Sequence, residues 1–202
     1  MKKTLTQLHV LGIVYALLLL VMFIMPLFSV PSYSVIQHTT SQLGAQGAPH
    51  AWVMNVTFIL LGLAVIMETA LHLKKQPLAS ILLFVFGTLL IAIAFFRHAP
   101  IDNIAYRAWE DQVHGVLATA IGFVFTFFMV TLAFILPDKE AKVVALMVAI
   151  LTTILSMMML ILPDVVGMLQ RIIFIYAFGY LIVFFSRQKQ LKTTLETEEE
   201  HN

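Results

Sequence analysis

The sequence contains no cysteine. That excludes a disulfide framework, a thiolate metal site and a Cys nucleophile, and it leaves the redox compartment undefined. Charge is nearly as scarce: Asp, Glu, Lys and Arg make up 11% of the 202 residues, against roughly a quarter in an ordinary soluble domain. The twelve Lys and Arg stand singly or in pairs and the net charge is +1. There is no clustered basic face for a phosphate backbone, so no nucleic-acid partner is expected. Any chemistry has to come from His, carboxylates, Ser or Arg. What is abundant is apolar: 60% of the residues are hydrophobic, more than a fold in water has use for.

The apolar residues fall into runs at 10–25, 51–73, 78–96, 113–136, 143–162 and 167–185. A helix needs roughly 20 residues to cross about 30 Å of hydrocarbon. The expected fold class is therefore an all-α polytopic membrane protein, a six-transmembrane-helix bundle over residues 1–186, followed by a short charged, disordered cytoplasmic tail over 187–202. Lys2 and Lys3 ahead of the first run are reminiscent of a signal peptide. No small-residue cleavage site follows before Pro31, and the run is read as a retained helix that Pro26 kinks or ends. In the last run Gln170 and Arg171 interrupt the apolar pattern near its start, and Arg171 must snorkel or face a polar interior.

With the N-terminus inside, Lys2, Lys3, Lys74, Lys75, Lys139, Lys142, Arg187, Lys189 and Lys192 are cytoplasmic, and Arg97, Arg107 and Arg171 are outside. That asymmetry places both termini in the cytoplasm. The chemistry-bearing residues then gather on the outer connections. These are 31–50, with His38, Ser41, Gln42 and His50; 97–112, with His98, Asp102, Arg107, Glu110 and Asp111, leading to His114; and 163–171, with Asp164. Gly44 and Gly47 permit positive φ, so the first outer loop can fold back on the membrane, and Pro49 suits the first turn of a helix.

Several constellations compete at the outer side. Helix N-termini together with Arg97, Arg107 and Arg171 suit a phosphate or carboxylate such as a lipid headgroup. The bland alternative has Arg171 fastening helix ends by pairing with Asp164 or Asp102. His114 lies i+4 from Glu110 and i+3 from Asp111. A carboxylate beside it would make a general base, and Ser41 with His114 and Asp102 forms an imaginable catalytic set. Ser41 and its glycines are equally ordinary turn residues. A metal held by His98, Asp102 and His114 is disfavoured by Pro100, which breaks the helix their spacing requires, and no paired His motif stands near the C-terminus. Haem would need a second His pair besides His50 and His114. No metal or cofactor is expected.

Within the spans, Glu68 and His72 are i, i+4 and suggest either a proton relay or a pair near Lys74 and Lys75. Met157, Met158, Met159 and the Phe residues read as packing or lipid-facing. Ala118 and Gly122 form a small-x-x-x-small pattern that lets helices approach. The triplet Asn55-Val56-Thr57 falls inside a helix and is discounted as a glycosylation site.

The run Ser41-Gln42-Leu43-Gly44-Ala45-Gln46-Gly47-Ala48-Pro49, followed by Asn55, Phe58 and Gly62, resembles the signature of the domain-of-unknown-function 998 family of prokaryotic six-span membrane proteins. Asp102 after the third run, His114 opening the fourth, and Gly167 with Arg171 opening the sixth agree with it. The segment Phe95-Phe96-Arg97-His98-Ala99-Pro100 departs from the shorter Phe-Pro turn of that pattern. The resemblance implies a multi-pass protein of the prokaryotic cytoplasmic membrane, distantly similar to DRAM-like and Sfk-like six-span proteins, some linked to lipid handling. Two functions follow as expectations. One is binding or handling of a membrane lipid or small amphiphile in an outer-leaflet polar pocket built from Ser41, Gln42, Asp102, His114 and Arg171. The other is a lipid-modifying hydrolase or acyltransferase using Ser41, His114 and Asp102.

Overall fold

An unpaired backbone N–H or C=O costs several kcal/mol in hydrocarbon, and a helix satisfies all but its terminal groups internally. Each long apolar run accordingly folds as a helix. The computed structural model describes residues 10–102 and 104–199, with side chains through Gln190. Six helices follow one another: α1 (Val10–Ile24), α2 (Ala51–His72), α3 (Pro77–Ile93), α4 (Ala108–Ile135), α5 (Lys139–Ile161) and α6 (Val166–Glu199). Five are long and apolar enough to cross a membrane. α3, apolar but of 17 residues, is about 26 Å long at 1.5 Å per residue. The molecule is a helical membrane protein.

Helix ends differ from the apolar runs where polar groups extend them. α4 starts five residues before the run at Val113, because Glu110 and Asp111 suit its electropositive first turn. α5 starts four residues early, with Asp138 Oδ2 accepting from the Ala141 N–H at 2.8 Å as N-cap. Pro26 does end the first α-helix, which gives way to a 3-10 turn over Met25–Phe28. Pro49 lies in a turn ahead of α2 rather than in its first turn, and His50 adopts φ 52° at the N-cap. The segment after Ser186, expected to be disordered, continues α6 to Glu199. Lys2, Lys3 and residues 200–202 lie outside the described residues.

Helices adjacent in sequence pack side by side, and α6 returns to touch α1 and α2. Leu11, Leu18 and Met22 of α1, Leu61 and Val65 of α2, Phe128 and Leu132 of α4, and Leu181 and Phe185 of α6 fill the shared core. The tightest crossing is α2 on α3. A Cβ at Gly62 would collide with the Gly87 carbonyl, and one at Gly87 would meet the Gly62 carbonyl. On the outer faces of α4 and α5, Phe123, Phe127, Val116, Met147 and Leu160 all point outward, a surface suited to lipid rather than water.

The two ends of the bundle are unlike. The connections 25–50 and 94–107 lie at one, the long-loop end, while 73–76 and 136–138 make short turns at the other. Trp52 and Trp109, in the first turns of α2 and α4, are both exposed at the long-loop end, as an interfacial aromatic belt requires. Near the short-turn end, the Glu68 carboxylate is buried in α2 and meets His72 Nε2 at 3.3 Å.

Candidate functional site

The first long loop, residues 25–50, is clamped onto α6 by one side chain. Arg171, 3% exposed, donates from Nη1 to the carbonyls of Val35 (2.8 Å), His38 (3.0 Å) and Gly167 (2.9 Å), from Nη2 to Tyr33 Oη (2.7 Å), and from Nε to the Met22 carbonyl (3.3 Å). Tyr33 Oη passes the link on to the Thr39 carbonyl at 3.0 Å, and burial pushes its pKa up. Gly167 makes this docking possible, since a Cβ there would collide with the His38 and Val35 carbonyls. Arg171 forms no ion pair with Asp164, Asp102 or any other described carboxylate. Its charge is solvated by carbonyl dipoles instead. The same loop is tied again by the Thr40 N–H, which donates to Gln170 Oε1 at 2.7 Å.

Local chemistry shapes the loop itself. Thr39 and Gln42 form a capping box, with Gln42 Oε1 accepting from the Thr39 N–H at 2.8 Å. Gly47 takes a positive φ of 74°. Gly44 does not, and its role is space: a Cβ would strike the Asn55 amide, which donates to the Gly44 carbonyl at 3.2 Å. His38 Nδ1 accepts from the Ser34 N–H at 2.8 Å, and burial lowers its pKa.

A second cluster organises the α3–α4 connection. Glu110, buried, accepts from the Arg97 N–H (3.0 Å) and Arg97 Nε (3.1 Å), with Arg107 Nη1 at 3.7 Å. Asp111 accepts from the Ala99 N–H at 2.7 Å and lies 3.2 Å from His98 Nδ1. Both carboxylates expected beside His114 are thus engaged in this connection. His114 Nδ1 instead donates to the Phe96 carbonyl at 2.6 Å, because a carbonyl oxygen can only accept. The His98 and His114 rings meet edge to face at 5.2 Å.

Gln46 joins the two clusters. Its Nε2 donates to the Arg97 (3.2 Å) and Arg107 (3.1 Å) carbonyls, and its Oε1 accepts from the Arg107 N–H at 2.8 Å. Beside it is a cleft of about 20 Å³ shared by Gln42 and Asp102, room for about one water. Asp102 accepts from the Ser32 hydroxyl at 2.6 Å. Ser41, His114 and Arg171 do not line this cleft. Ser41 is buried, and no hydrogen bond among the described residues joins it to His114 or Asp102. The five sequence-selected residues therefore occupy separate places: Arg171 at the α6 clamp, His114 behind the α3–α4 connection, Gln42 and Asp102 at the cleft, and Ser41 in the loop between.

The larger space lies deeper. A cavity of about 220 Å³ opens between α3, α4, α5 and α6 in the half of the bundle nearer the long loops. Its walls are apolar, including Phe86, Phe125, Phe174 and Phe178. Ala118 and Gly122 line it, and a Cβ at Gly122 would meet nothing within 4 Å. The small-x-x-x-small pattern on α4 thus opens space instead of drawing helices together. Two polar groups facing it retain bonding capacity. Gln170 spends its Oε1 on Thr40, which leaves the amide nitrogen as a donor. Ser156 departs from the habit of its neighbours: Thr57, Thr69, Thr88, Thr119, Thr131, Thr152, Thr153 and Ser186 each donate to the carbonyl four residues back, and Ser156 makes no such bond among the described residues. Sequence reading passed over Ser156 and treated Gln170 only as an interruption. Nothing in a lone mid-span Ser announces which way its hydroxyl points.

A family model described as protein of unknown function (DUF998) matches residues 13–187. No curated protein and no solved structure matches the chain.

Proposed function

The chain belongs to the domain-of-unknown-function 998 family, a membership that assigns no activity, and we propose from the geometry that it binds a lipid or small amphiphile within the membrane. The supporting observation is the cavity of about 220 Å³ among α3 to α6, lined by the Ser156 hydroxyl and by Gln170, whose amide nitrogen is left as a donor. Apolar cavities of roughly 150 Å³ already admit a benzene-sized guest, so this one takes a segment of alkyl chain or a small ring. The apolar part of the guest lies against Phe125, Phe174 and Phe178, and its carbonyl or hydroxyl oxygen accepts from Gln170. Ser41 and Gln42, in the loop tied to Gln170 through Thr40, cover the long-loop end. Arg171 holds that cover in place, while Asp102 and His114 order the neighbouring connection.

In this reading the protein is a six-span protein of the prokaryotic cytoplasmic membrane with both termini cytoplasmic. Lys74 and Lys75 in one short turn, with Lys139 and Lys142 at the start of α5, support that orientation, and α3 crosses with the help of a locally thinned bilayer. A diazirine-bearing long-chain alcohol tests the binding reading in reconstituted vesicles. Saturable labelling is expected on α4 and α6 residues that line the cavity, and Gly122→Leu, which fills it, abolishes saturation while the protein stays folded. Labelling that never saturates, or that Gly122→Leu leaves unchanged, removes the cavity as a binding site.

A further inference from the structure

We infer that the short-turn end carries a separate binding groove for a zwitterionic phospholipid headgroup with a primary ammonium. A groove of about 340 Å³ lies between the start of α5 and the middle of α6. Asp138 and Glu140 line one wall, and Tyr180 and Arg187 the other. Glu140 and Arg187, though they share the groove, form no ion pair with each other or with any other described residue. Between the charged walls lie Val144 and Val183, both about half exposed, an apolar track for an acyl chain.

The charges select the headgroup. Two carboxylates and one guanidinium line the groove, so an ammonium and a phosphate together find a partner on each wall, whereas a headgroup with a phosphate alone leaves both carboxylates unpartnered. A primary ammonium donates N–H bonds to carboxylates, and a quaternary one has no N–H to donate. The first turn of α5 does not serve the phosphate, because Asp138 already accepts from the Ala141 N–H. Arg187 is the phosphate ligand. This groove shares no lining residue with the cavity among α3 to α6, so the two sites stand or fall separately.

The test is native mass spectrometry of the full chain released from detergent supplied in turn with dioleoyl phosphatidylethanolamine, phosphatidylcholine or phosphatidylglycerol. Phosphatidylethanolamine adducts are expected at about tenfold lower lipid concentration than the other two, the worth of one charge-assisted hydrogen bond. Glu140→Gln with Asp138→Asn, which preserves the cap, brings phosphatidylethanolamine and phosphatidylcholine together. Arg187→Gln weakens all three. Val183→Trp, placed on a lipid-facing position, blocks the groove without removing a charge and weakens phosphatidylethanolamine most. Equal retention of the three lipids by the wild type, a preference for phosphatidylglycerol, or a preference that survives both Arg187→Gln and Val183→Trp overturns the inference.

Discussion

Gly167 and Arg171, one turn apart on α6, address the same two carbonyls. Gly167 lets the Val35 and His38 backbone reach the helix surface, and Arg171 Nη1 bonds both at 2.8 and 3.0 Å. The Gly-x-x-x-Arg spacing is a docking device for the first loop, built from absence of a side chain at one position and a five-donor fork at the next turn.

Arg171→Ala is expected to lower stability by at least about 3 kcal/mol, since hydrogen bonds from a charged donor contribute about 1.5–3 kcal/mol each and buried carbonyls are left bare. Arg171→Lys should recover less than half of this, because an ammonium cannot reach five acceptors spread over α1, the loop and α6. Gly167→Ala should destabilise through the same loop, and the double variant should cost less than the sum of the singles. Thermal unfolding in a fixed detergent measures all four; full additivity would separate the two residues.

Stability should fall on mild acidification through His38. Burial lowers the His38 pKa below its ordinary value of 6.5, and Nδ1 must stay unprotonated to accept from the Ser34 N–H. A lowered imidazole pKa means that the unfolded chain binds the proton more readily. Its contribution is present above pH 6.5 and is lost as pH falls through the folded value. Comparing unfolding midpoints of wild type and His38→Gln between pH 8 and 5 should show a gap that narrows toward acid. A constant gap would remove His38 as the source.

Gln46→Leu should cost about 2 kcal/mol, the order expected when partly buried backbone groups lose their partners, because the Arg97 and Arg107 carbonyls and the Arg107 N–H all bond this amide. Gln46→Glu should be no better, since its carboxylate would face two carbonyls. Urea-induced unfolding monitored by far-ultraviolet circular dichroism reads the difference, and a neutral Gln46→Glu would contradict the assignment of Nε2 as the double donor.

Two glycine substitutions should behave in opposite ways. Gly62→Ala forces α2 off α3, where overpacking costs about 1–3 kcal/mol, because its Cβ would collide with the Gly87 carbonyl. Gly122→Ala meets open space and should stabilise by up to about 1 kcal/mol through helix propensity alone. Parallel thermal melts decide; equal effects would deny the contrast between tight and open packing.

Composition and run length made the helices legible, since an apolar segment in lipid has few alternatives to a helix. The ends were less so. They depend on individual polar bonds such as Asp138 to the Ala141 N–H, which an apolar run cannot anticipate. Ser41 to Pro49, Gly167 and Arg171 were recognised as belonging together in one pattern. Their task was not, because Arg171 satisfies itself on backbone carbonyls, which every sequence supplies. Glu110 and Asp111 sat at the right helical spacing from His114, yet the α3–α4 connection engaged them first through Arg97, Ala99 and His98. Ala118 and Gly122 show the limit of a pattern: small residues permit approach, and the neighbours decide whether approach occurs.

The backbone contact between Gly62 and Gly87 leaves no slack between α2 and α3, whereas a Cβ at Gly115 or Gly122 of α4 would meet nothing within 4 Å. Under the proposed binding reading, any swelling that a guest requires is easier on the α4 side than across the α2–α3 contact, and a bilayer that presses laterally on α4 and α5 is expected to oppose loading.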